Sequence, residues 1–145
     1  MKKIVLLFLS LCCCFILSAQ SRFDGLWEGE LTYGGLASER SYRFQMWIKS
    51  ISKGKLEGRT YVYLSPEEVV EMHIEGRIYD DLSIYLVDKD FVPMAGREIS
   101  PPFYRKYQLK FDRSIWETSL DGYWQQVIDA PMDIRRDRGR LKLVK

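Results

Sequence analysis

Apolar and polar residues alternate along most of the chain, which is the pattern of β-strands that bury one face only. In the segment 42–49, the even-numbered positions are aromatic or apolar and most of the odd-numbered positions are polar. The same alternation recurs within 69–79 and 103–112. Strands of parallel sheets are usually apolar on both faces, so the pattern indicates an antiparallel sheet.

The alternating segments and the turn residues between them predict an all-β fold, a single antiparallel up-and-down meander. Its eight predicted strands span roughly 25–33, 41–51, 55–64, 69–79, 82–88, 103–112, 115–126 and 139–144. We expect one helical turn at Ser65-Pro66-Glu67-Glu68, with Ser65 as its cap. Two longer connections, 90–102 and 128–139, either carry ligand contacts or are solvated loops.

A short motif recurs in four of these strands, in which an apolar residue and an acidic residue precede a glycine. The motif glycines are Gly25, Gly58, Gly76 and Gly122. Alternation places each glycine on the apolar face, where it costs about 0.5–1 kcal/mol relative to alanine. A meander leaves two unpaired edges unless it closes on itself, and inward glycine lets a strand bend sharply. The glycines therefore predict the corners of a closed barrel, or else they fill positions beside bulky Trp and Met side chains.

Residues 1–19 have the three-part pattern of a secretory signal peptide, with a basic start, an apolar run at 4–17 and a small residue before the expected cut. A transmembrane anchor is a competing interpretation, but the run is shorter than the roughly 20 residues that a spanning helix needs. A lipoprotein signal is a third, because Cys12-Cys13-Cys14 lie in the run. We expect a signal peptide at 1–19, a single β-barrel domain at 20–145, and a periplasmic or extracellular location.

Removal of the signal peptide changes the composition. All three cysteines lie within it, so the remaining chain has no disulfide, thiolate nucleophile or Cys-ligated metal. Loss of Lys2 and Lys3 from the 22 basic residues leaves 20 against 20 acidic residues. A chain of this balance lacks the electrostatic footprint of a nucleic-acid binder. We expect no nucleic-acid partner, no cofactor and no transmembrane span after cleavage.

The tripeptide Gly25-Leu26-Trp27 on the first predicted strand is similar to the Gly-x-Trp signature of the lipocalins and their calycin relatives. The resemblance implies a lipocalin-like barrel of about eight strands around a pocket for a small apolar ligand. It also implies that Trp27 closes one end of the barrel beneath an arginine near the last strand, for which Arg138 and Arg140 are the candidates. The chain departs from the family because it has no predicted C-terminal helix and no cysteine pair.

The first functional hypothesis is an exported, non-enzymatic binding protein that holds a small apolar ligand inside the barrel. An eight-stranded barrel is just wide enough to be filled by its own side chains or to hold one small ligand. Bulky inward side chains favour a filled interior, whereas inward glycines favour space. The candidate ligand-binding residues are Phe44, Met46, Met72, Ile74, Tyr107 and Leu109.

The alternative hypothesis is a cell-envelope module that binds a glycan or a protein through an outer aromatic surface. Tyr and Trp on a polar sheet face stack on sugar rings, but they are also good strand formers. The expected outer aromatic residues are Trp47, Tyr61, Tyr63, Tyr79, Tyr85 and Tyr123. The other three tryptophans, Trp27, Trp116 and Trp124, are expected in the core.

No motif in the sequence indicates catalysis or a metal site. His73, the only histidine, lies between Glu71 and Glu75 on a polar strand face, where a surface role is expected rather than metal binding. Acidic residues are numerous, but nothing places two carboxylates at the fixed separation that glycoside hydrolysis requires. An exported hydrolase is therefore the weakest hypothesis, and we assign no catalytic residue and no metal ligand.

Overall fold

The structure is a computed structural model that describes residues 21–34, 40–93, 101, 103–127 and 137–145. The predicted signal peptide and most of the two long connections lie outside the described residues. The division of the chain into a signal peptide and one domain therefore stays a prediction.

Eight antiparallel strands form the fold. They are β1 (Gly25–Thr32), β2 (Ser41–Ser52), β3 (Lys55–Ser65), β4 (Glu68–Ile78), β5 (Ser83–Val92), β6 (Arg105–Arg113), β7 (Thr118–Gln126) and β8 (Arg138–Val144). Each strand pairs with the next one in the sequence, and β1 also pairs with β8. The predicted antiparallel meander that closes into a barrel is confirmed, and its architecture is consistent with a lipocalin-like fold.

The ladder that closes the barrel is short. Four residue pairs join β1 to β8, from Glu28 with Val144 to Leu31 with Leu141, whereas eight pairs join β1 to β2. The backbone N–H of Arg140 donates a hydrogen bond of 3.1 Å to the hydroxyl of Thr32 beside this ladder. Closure removes the two unpaired edges that an open meander leaves exposed.

The β3–β4 connection differs from the prediction. The structure has no helical turn at 65–68, because Ser65 already pairs with Glu68 and the two residues between them form a hairpin turn. Strand pairing on both sides thus overrides the local preference of a capped Pro-Glu sequence for helix. In the ranges that the structure describes, no helix combines the length and apolarity that crossing a bilayer demands.

The fifth strand is longer than predicted, because it continues to Val92 rather than ending at 88. Its pairing with β4 shifts register between Met72 and Ile74, and beyond the shift Met72 pairs with Phe91. Asp90 is exposed where alternation would place a buried residue, and it breaks the pattern that would have extended the prediction.

The barrel interior is one continuous hydrophobic core of twenty buried apolar side chains among the described residues. Aromatic rings close each end. We call the cluster of Phe23, Trp27 and Phe111 the Trp27 end; its ring centroids lie 5.3 Å apart for Phe23 and Phe111 and 6.3 Å apart for Trp27 and Phe111. The indole N–H of Trp27 donates a 2.8 Å hydrogen bond to the backbone carbonyl of Phe23, so its polar atom is satisfied inside the core.

The opposite end of the barrel, which we call the Trp124 end, consists of Tyr33, Phe103 and Trp124. The Phe103 and Trp124 rings stack at 6.0 Å, and the Tyr33 ring meets Trp124 edge-on at 4.7 Å. The indole N–H of Trp124 donates a 2.8 Å hydrogen bond to the carbonyl of Thr32. This bond ties β7 to β1 across β8.

Three of the four motif glycines lie where neighbouring strands approach too closely for a side chain. A Cβ on Gly58 would lie 2.0 Å from the carbonyl oxygen of Trp47 on β2, and one on Gly122 would lie 2.1 Å from that of Gln108 on β6. Gly76 is equally close to β5. These glycines permit the sharp bending predicted for barrel corners. Backbone atoms occupy the space beside them, so they do not enlarge the interior.

The fourth motif glycine, Gly25, does not fit this role. It begins β1 with φ +120°, and a Cβ there would meet the Lys145 side chain at 3.2 Å rather than another strand. Two glycines outside the motif take its place at the closing ladder. A Cβ on Gly29 would lie 1.9 Å from the carbonyl oxygen of Lys142, and one on Gly139 would lie 1.6 Å from a carbonyl oxygen of β1.

Trp116 is not in the core, so that prediction is wrong. It is 91% exposed, as is Ile115 beside it, at the tip of the β6–β7 hairpin. The hydroxyl of Ser114 accepts hydrogen bonds from the backbone N–H groups of Trp116 and Glu117, which forms the tip. Alternation counted from a strand start at 115 placed Trp116 inward, but β7 begins only at Thr118.

The close approach at Gly58 gives a stability prediction. We expect Gly58→Ala to lower the free energy of unfolding by about 1–3 kcal/mol, because the added methyl group must displace the backbone of β2. The control is Glu57→Ala on the exposed neighbour, which should stay within about 0.5 kcal/mol of the parent. Urea unfolding followed by circular dichroism measures both; equal stability of the two variants would contradict the barrel-corner role.

The two tryptophan environments give a second prediction. We expect Trp27→Ala to lower the free energy of unfolding by roughly 3–5 kcal/mol, since a buried indole leaves a large cavity. Trp116→Ala should change it by less than about 0.5 kcal/mol, because the hairpin tip is exposed. The same urea titrations test the contrast, and a costly Trp116→Ala would place that indole in a packed environment.

Candidate binding site inside the barrel

The six predicted ligand-binding residues all lie in the barrel interior. They come in pairs from alternate strands: Phe44 and Met46 from β2, Met72 and Ile74 from β4, Tyr107 and Leu109 from β6. None is more than 1% exposed. The structure therefore brings all six into one enclosed core, and their role in ligand binding stays a prediction.

Side chains from opposite walls meet in this interior. The Phe44 ring on β2 and the Tyr107 ring on β6 have centroids 5.8 Å apart, although four strand steps separate β2 from β6 around the barrel. The interior is thus occupied by side chains at this level, and a ligand there must displace some of them.

Three buried polar side chains interrupt the apolar interior between this level and the Trp124 end. Asp88 on β5 is 4% exposed, Arg105 at the start of β6 is 2% exposed, and Tyr107 is fully buried. A buried aspartate and a buried arginine are uncommon in a small core, because removing charged groups from water is costly. This Asp88–Arg105–Tyr107 cluster is the unusual chemical feature of the barrel.

Asp88 accepts two hydrogen bonds within the cluster. Its Oδ2 accepts one of 2.8 Å from the backbone N–H of Arg105, and its Oδ1 accepts one of 3.1 Å from the Tyr107 hydroxyl. The first bond joins β5 to β6 at the point where β6 begins, just beyond the last ladder pair, Val87 with Lys106. Asp88 therefore replaces a backbone acceptor at that position.

Arg105 makes a single side-chain hydrogen bond to the described residues, in which Nη2 donates to the Tyr33 hydroxyl at 2.9 Å. The guanidinium carbon lies 4.8 Å from the Phe103 ring centroid and 5.3 Å from that of Trp124. Cation–π contacts of this kind stabilise a desolvated arginine. The Nε and Nη1 atoms are buried without a hydrogen-bond acceptor among the described residues.

Burial shifts the ionisation of this cluster. Burial raises the pKa of Asp88 to about 6, and the hydrogen bonds from Arg105 and Tyr107 together with the charge of Arg105 offset part of that rise. Burial and the nearby Asp88 raise the pKa of Tyr107 well above its usual value, so Tyr107 remains a neutral hydrogen-bond donor. Burial lowers the pKa of Arg105, but the surrounding phenol groups and Asp88 outweigh it and the pKa is raised.

Sequence reasoning missed Asp88 and Arg105 as interior residues, although alternation contains the signal. Arg105 shares a strand parity with Tyr107 and Leu109, and Asp88 shares one with Leu86. Charged residues usually face solvent, so residue type argues against an inward position for both. Strict counting through the strand ends places both side chains inward.

The cation over the Trp27 ring is not the arginine that the resemblance implies. The Lys145 Nζ lies 5.3 Å from the Trp27 ring centroid and also donates a hydrogen bond to the carbonyl oxygen of Asp24. Arg140 instead pairs with Asp121 at 3.2 Å on the outer face, and Arg138 is exposed. The expectation that Arg138 or Arg140 covers Trp27 is therefore wrong.

The predicted outer aromatic surface does lie outside the barrel. Trp47, Tyr79 and Tyr123 are 40%, 51% and 63% exposed. Tyr63 is half-buried because its hydroxyl donates to Gln45 at 2.5 Å and its ring lies 4.8 Å from the guanidinium carbon of Arg43. Part of this surface is thus committed to contacts between strands β2 and β3.

An open groove of about 500 Å³ lies on the outer wall near the β4–β5 turn. It is lined by Tyr79, Asp80, Asp81, Ser83, Ile84, Tyr85 and Gln108. Two tyrosines of the predicted outer surface therefore share a groove with acidic and amide groups. The Ser83 hydroxyl donates to the Asp81 carboxylate at 2.6 Å, which lowers the pKa of Asp81.

The two acidic residues beside His73 are already paired with basic residues. Glu71 pairs with Arg59 at 2.8 Å and Glu75 with Lys89 at 3.7 Å, on either side of exposed His73. Among the residues for which the structure gives positions, no group of three or more His, Cys, Asp or Glu side chains is arranged to hold a metal ion.

Comparison with known proteins gives no assignment: no protein-family model matches the chain, and a search of curated proteins finds no match.

The raised pKa of Asp88 predicts the pH dependence of stability. The folded protein binds a proton at Asp88 near pH 6, whereas an unfolded aspartate does so near pH 4. Between these values the folded state holds more protons, so Asp88 makes stability fall as pH rises from about 4 to 7. The size of this fall is on the order of 2–3 kcal/mol.

The measurement compares the free energy of unfolding of the parent and Asp88→Asn across this pH range. Asparagine keeps an oxygen that accepts from the Arg105 N–H and has no charge, so the difference between the two proteins isolates the Asp88 titration. The parent should lose stability relative to Asp88→Asn as pH rises. A constant difference would contradict the prediction, because it would show that Asp88 has the same pKa in the folded and the unfolded protein.

Proposed function

We propose that the protein is an exported, non-enzymatic binding protein that holds a small apolar ligand in a lipocalin-like barrel. Phe44, Met46, Met72, Ile74, Tyr107 and Leu109 form the walls of the site. The proposal includes kinship with the lipocalins and a periplasmic or extracellular location. They rest on Gly25-Leu26-Trp27 and on the signal-peptide pattern at 1–19.

The observation that carries the proposal is a buried cluster with two charged residues, which faces a largely apolar interior where Thr60 is a further buried polar side chain. A core that served stability alone gains from apolar residues of similar volume at such positions, since burying Asp88 and Arg105 is costly. Leaving the Nε and Nη1 atoms of Arg105 without an acceptor among the described residues adds to that cost. Polar groups placed inside an apolar site are what orient a small ligand in binding proteins.

Entry of a ligand requires side chains to move, because the interior is filled by contacts such as that of Phe44 with Tyr107. Met46 and Met72 are the interior side chains that can move at lowest cost, since methionine is unbranched and flexible. Both are completely buried. The site is therefore one that opens on binding rather than a rigid cavity.

A second candidate function is recognition of a glycan on the outer wall, and the groove beside Tyr79 and Tyr85 favours it. Exposed tyrosine rings stack on the apolar faces of sugars, and Asp80 and Gln108 supply hydrogen-bonding groups for hydroxyls. The groove is wide open to solvent, which favours a weakly held ligand. One experiment separates the two candidates.

Titration with the neutral fluorophore N-phenyl-1-naphthylamine tests the interior site. We expect saturable binding, with energy transfer from the buried tryptophans. Met72→Phe should weaken it by about tenfold or more, because a rigid ring of similar volume keeps the core folded but cannot move aside. Circular dichroism verifies that Met72→Phe is folded.

The matched control is Tyr79→Ala in the outer groove, which should leave binding of the fluorophore unchanged. Binding lost in Tyr79→Ala and retained in Met72→Phe would place the site on the outer wall. Absence of saturable binding would overturn the interior site.

A further inference from the structure

Arg105 is a buried cation without an ionic partner in contact. Only 2% of Arg105 is exposed to solvent. Among the described residues, no ion pair within 4.0 Å includes Arg105. Arginine does not lose its proton in proteins, so the positive charge persists at every physiological pH.

The Arg105 guanidinium has more N–H donors than the described residues provide acceptors for. Arginine carries five N–H donors. One N–H of Nη2 donates to the Tyr33 hydroxyl, whereas Nε and Nη1 have no acceptor within the described part of the chain. These two nitrogens carry three N–H groups, and unmade hydrogen bonds of a charged group are among the most costly in a core.

Asp88 is the nearby carboxylate, but its oxygens are directed elsewhere. Both accept hydrogen bonds within the cluster, from the Arg105 backbone N–H at 2.8 Å and from the Tyr107 hydroxyl at 3.1 Å. Asp88 therefore organises the start of β6 and does not cap the guanidinium. Within the described residues, the Nε and Nη1 donors of Arg105 therefore remain available to a ligand.

The rings around Arg105 define the character of that group. Phe103 and Trp124 lie 4.8 Å and 5.3 Å from the guanidinium carbon and stack on each other, so they shield this charge from water. In such a dry surrounding, a hydrogen bond between a charged donor and an oxyanion is strong. A neutral hydroxyl would satisfy the donors without neutralising the charge.

We propose that Arg105 is the head-group site of the barrel and binds the singly charged oxyanion head of an amphiphilic ligand through its Nε and Nη1 donors. This inference rests on the proposed function, because the apolar part of the ligand occupies the interior near Phe44, Met46 and Met72. The Trp124 end holds the head group. The ligand class is thus narrowed from any small apolar molecule to an amphiphile with one negative charge.

The proposed head-group site at Arg105 lies next to the predicted apolar wall, which supports this orientation. Arg105 and Tyr107 are two residues apart on β6 and face the same interior, and the Tyr107 ring contacts Phe44. An extended chain whose head lies at Arg105 therefore runs directly onto the predicted apolar wall. At the opposite Trp27 end, the cations over the rings are Arg22 and Lys145. Both are exposed, so the described residues place no buried charge there.

Two probes that differ only in the head group test the proposal: dodecanoate and dodecanol. We expect the full chain to bind dodecanoate at least about tenfold more tightly than dodecanol, the difference that hydrogen bonds to a charged donor typically provide. Competition with the neutral fluorophore measures both affinities. The side-chain Nε–H resonance of Arg105 should shift on addition of dodecanoate and not of dodecanol.

Arg105→Met should remove this preference and retain dodecanol binding, because methionine keeps much of the volume and loses the donors. Arg43→Met is the matched control: it makes the same change at an exposed arginine of β2 on the outer face, so the preference for dodecanoate should persist. Should Arg105→Met fail to fold, Arg105→Lys and the Nε–H resonance of the parent protein carry the test.

The outcomes separate the two proposals. Equal affinity for dodecanoate and dodecanol, or a preference that survives in Arg105→Met, overturns the head-group site and leaves the apolar site intact. Failure of both amphiphiles to displace the fluorophore also overturns the head-group site, whereas failure of the fluorophore itself to bind overturns the apolar site and the head-group site together.

Discussion

The closure of the sheet is the constraint on which the rest of this structure depends. Once β1 pairs with β8, every strand has a neighbour on both sides and the inward side chains share one dry interior. Closure of a small barrel demands that strands bend and cross closely, so side chains are excluded at positions such as Gly58, Gly122 and Gly139. The close approach of neighbouring backbones thus determines at which positions the interior has room for side chains.

Much of this architecture could be predicted from the sequence, because period-two alternation and turn residues are local signals. The strand order and the inward position of residues such as Phe44 and Leu109 follow from them directly. Features decided by neighbouring strands could not be predicted in this way. Pro66 lies in a hairpin rather than a helical turn because its flanking strands pair, and Trp116 is exposed because β7 begins after it.

The polar cluster was the least predictable part of the candidate site. Charge alone assigns Asp88 and Arg105 to the surface, and only their parity with neighbours such as Tyr107 assigns them to the interior. The assignment from charge and the assignment from strand alternation conflict. In this barrel, the side chains lie where alternation places them. Conflicts of this kind are where a protein departs from the arrangement that stability alone favours, so they direct attention to function.

The barrel also has a weak side. The β1–β8 ladder contains four residue pairs, the shortest of the eight ladders, and the β5–β6 ladder beside Asp88 contains five. The residues joined across the β1–β8 seam are more than a hundred positions apart, as for Thr32 and Arg140, whose separation is 108. Contacts between such distant residues form late in folding and are opened first by fluctuation when few bonds hold them. We therefore expect thermal opening of the barrel wall to concentrate where β1 pairs with β8, so that among the strand amides those of this ladder exchange fastest with solvent.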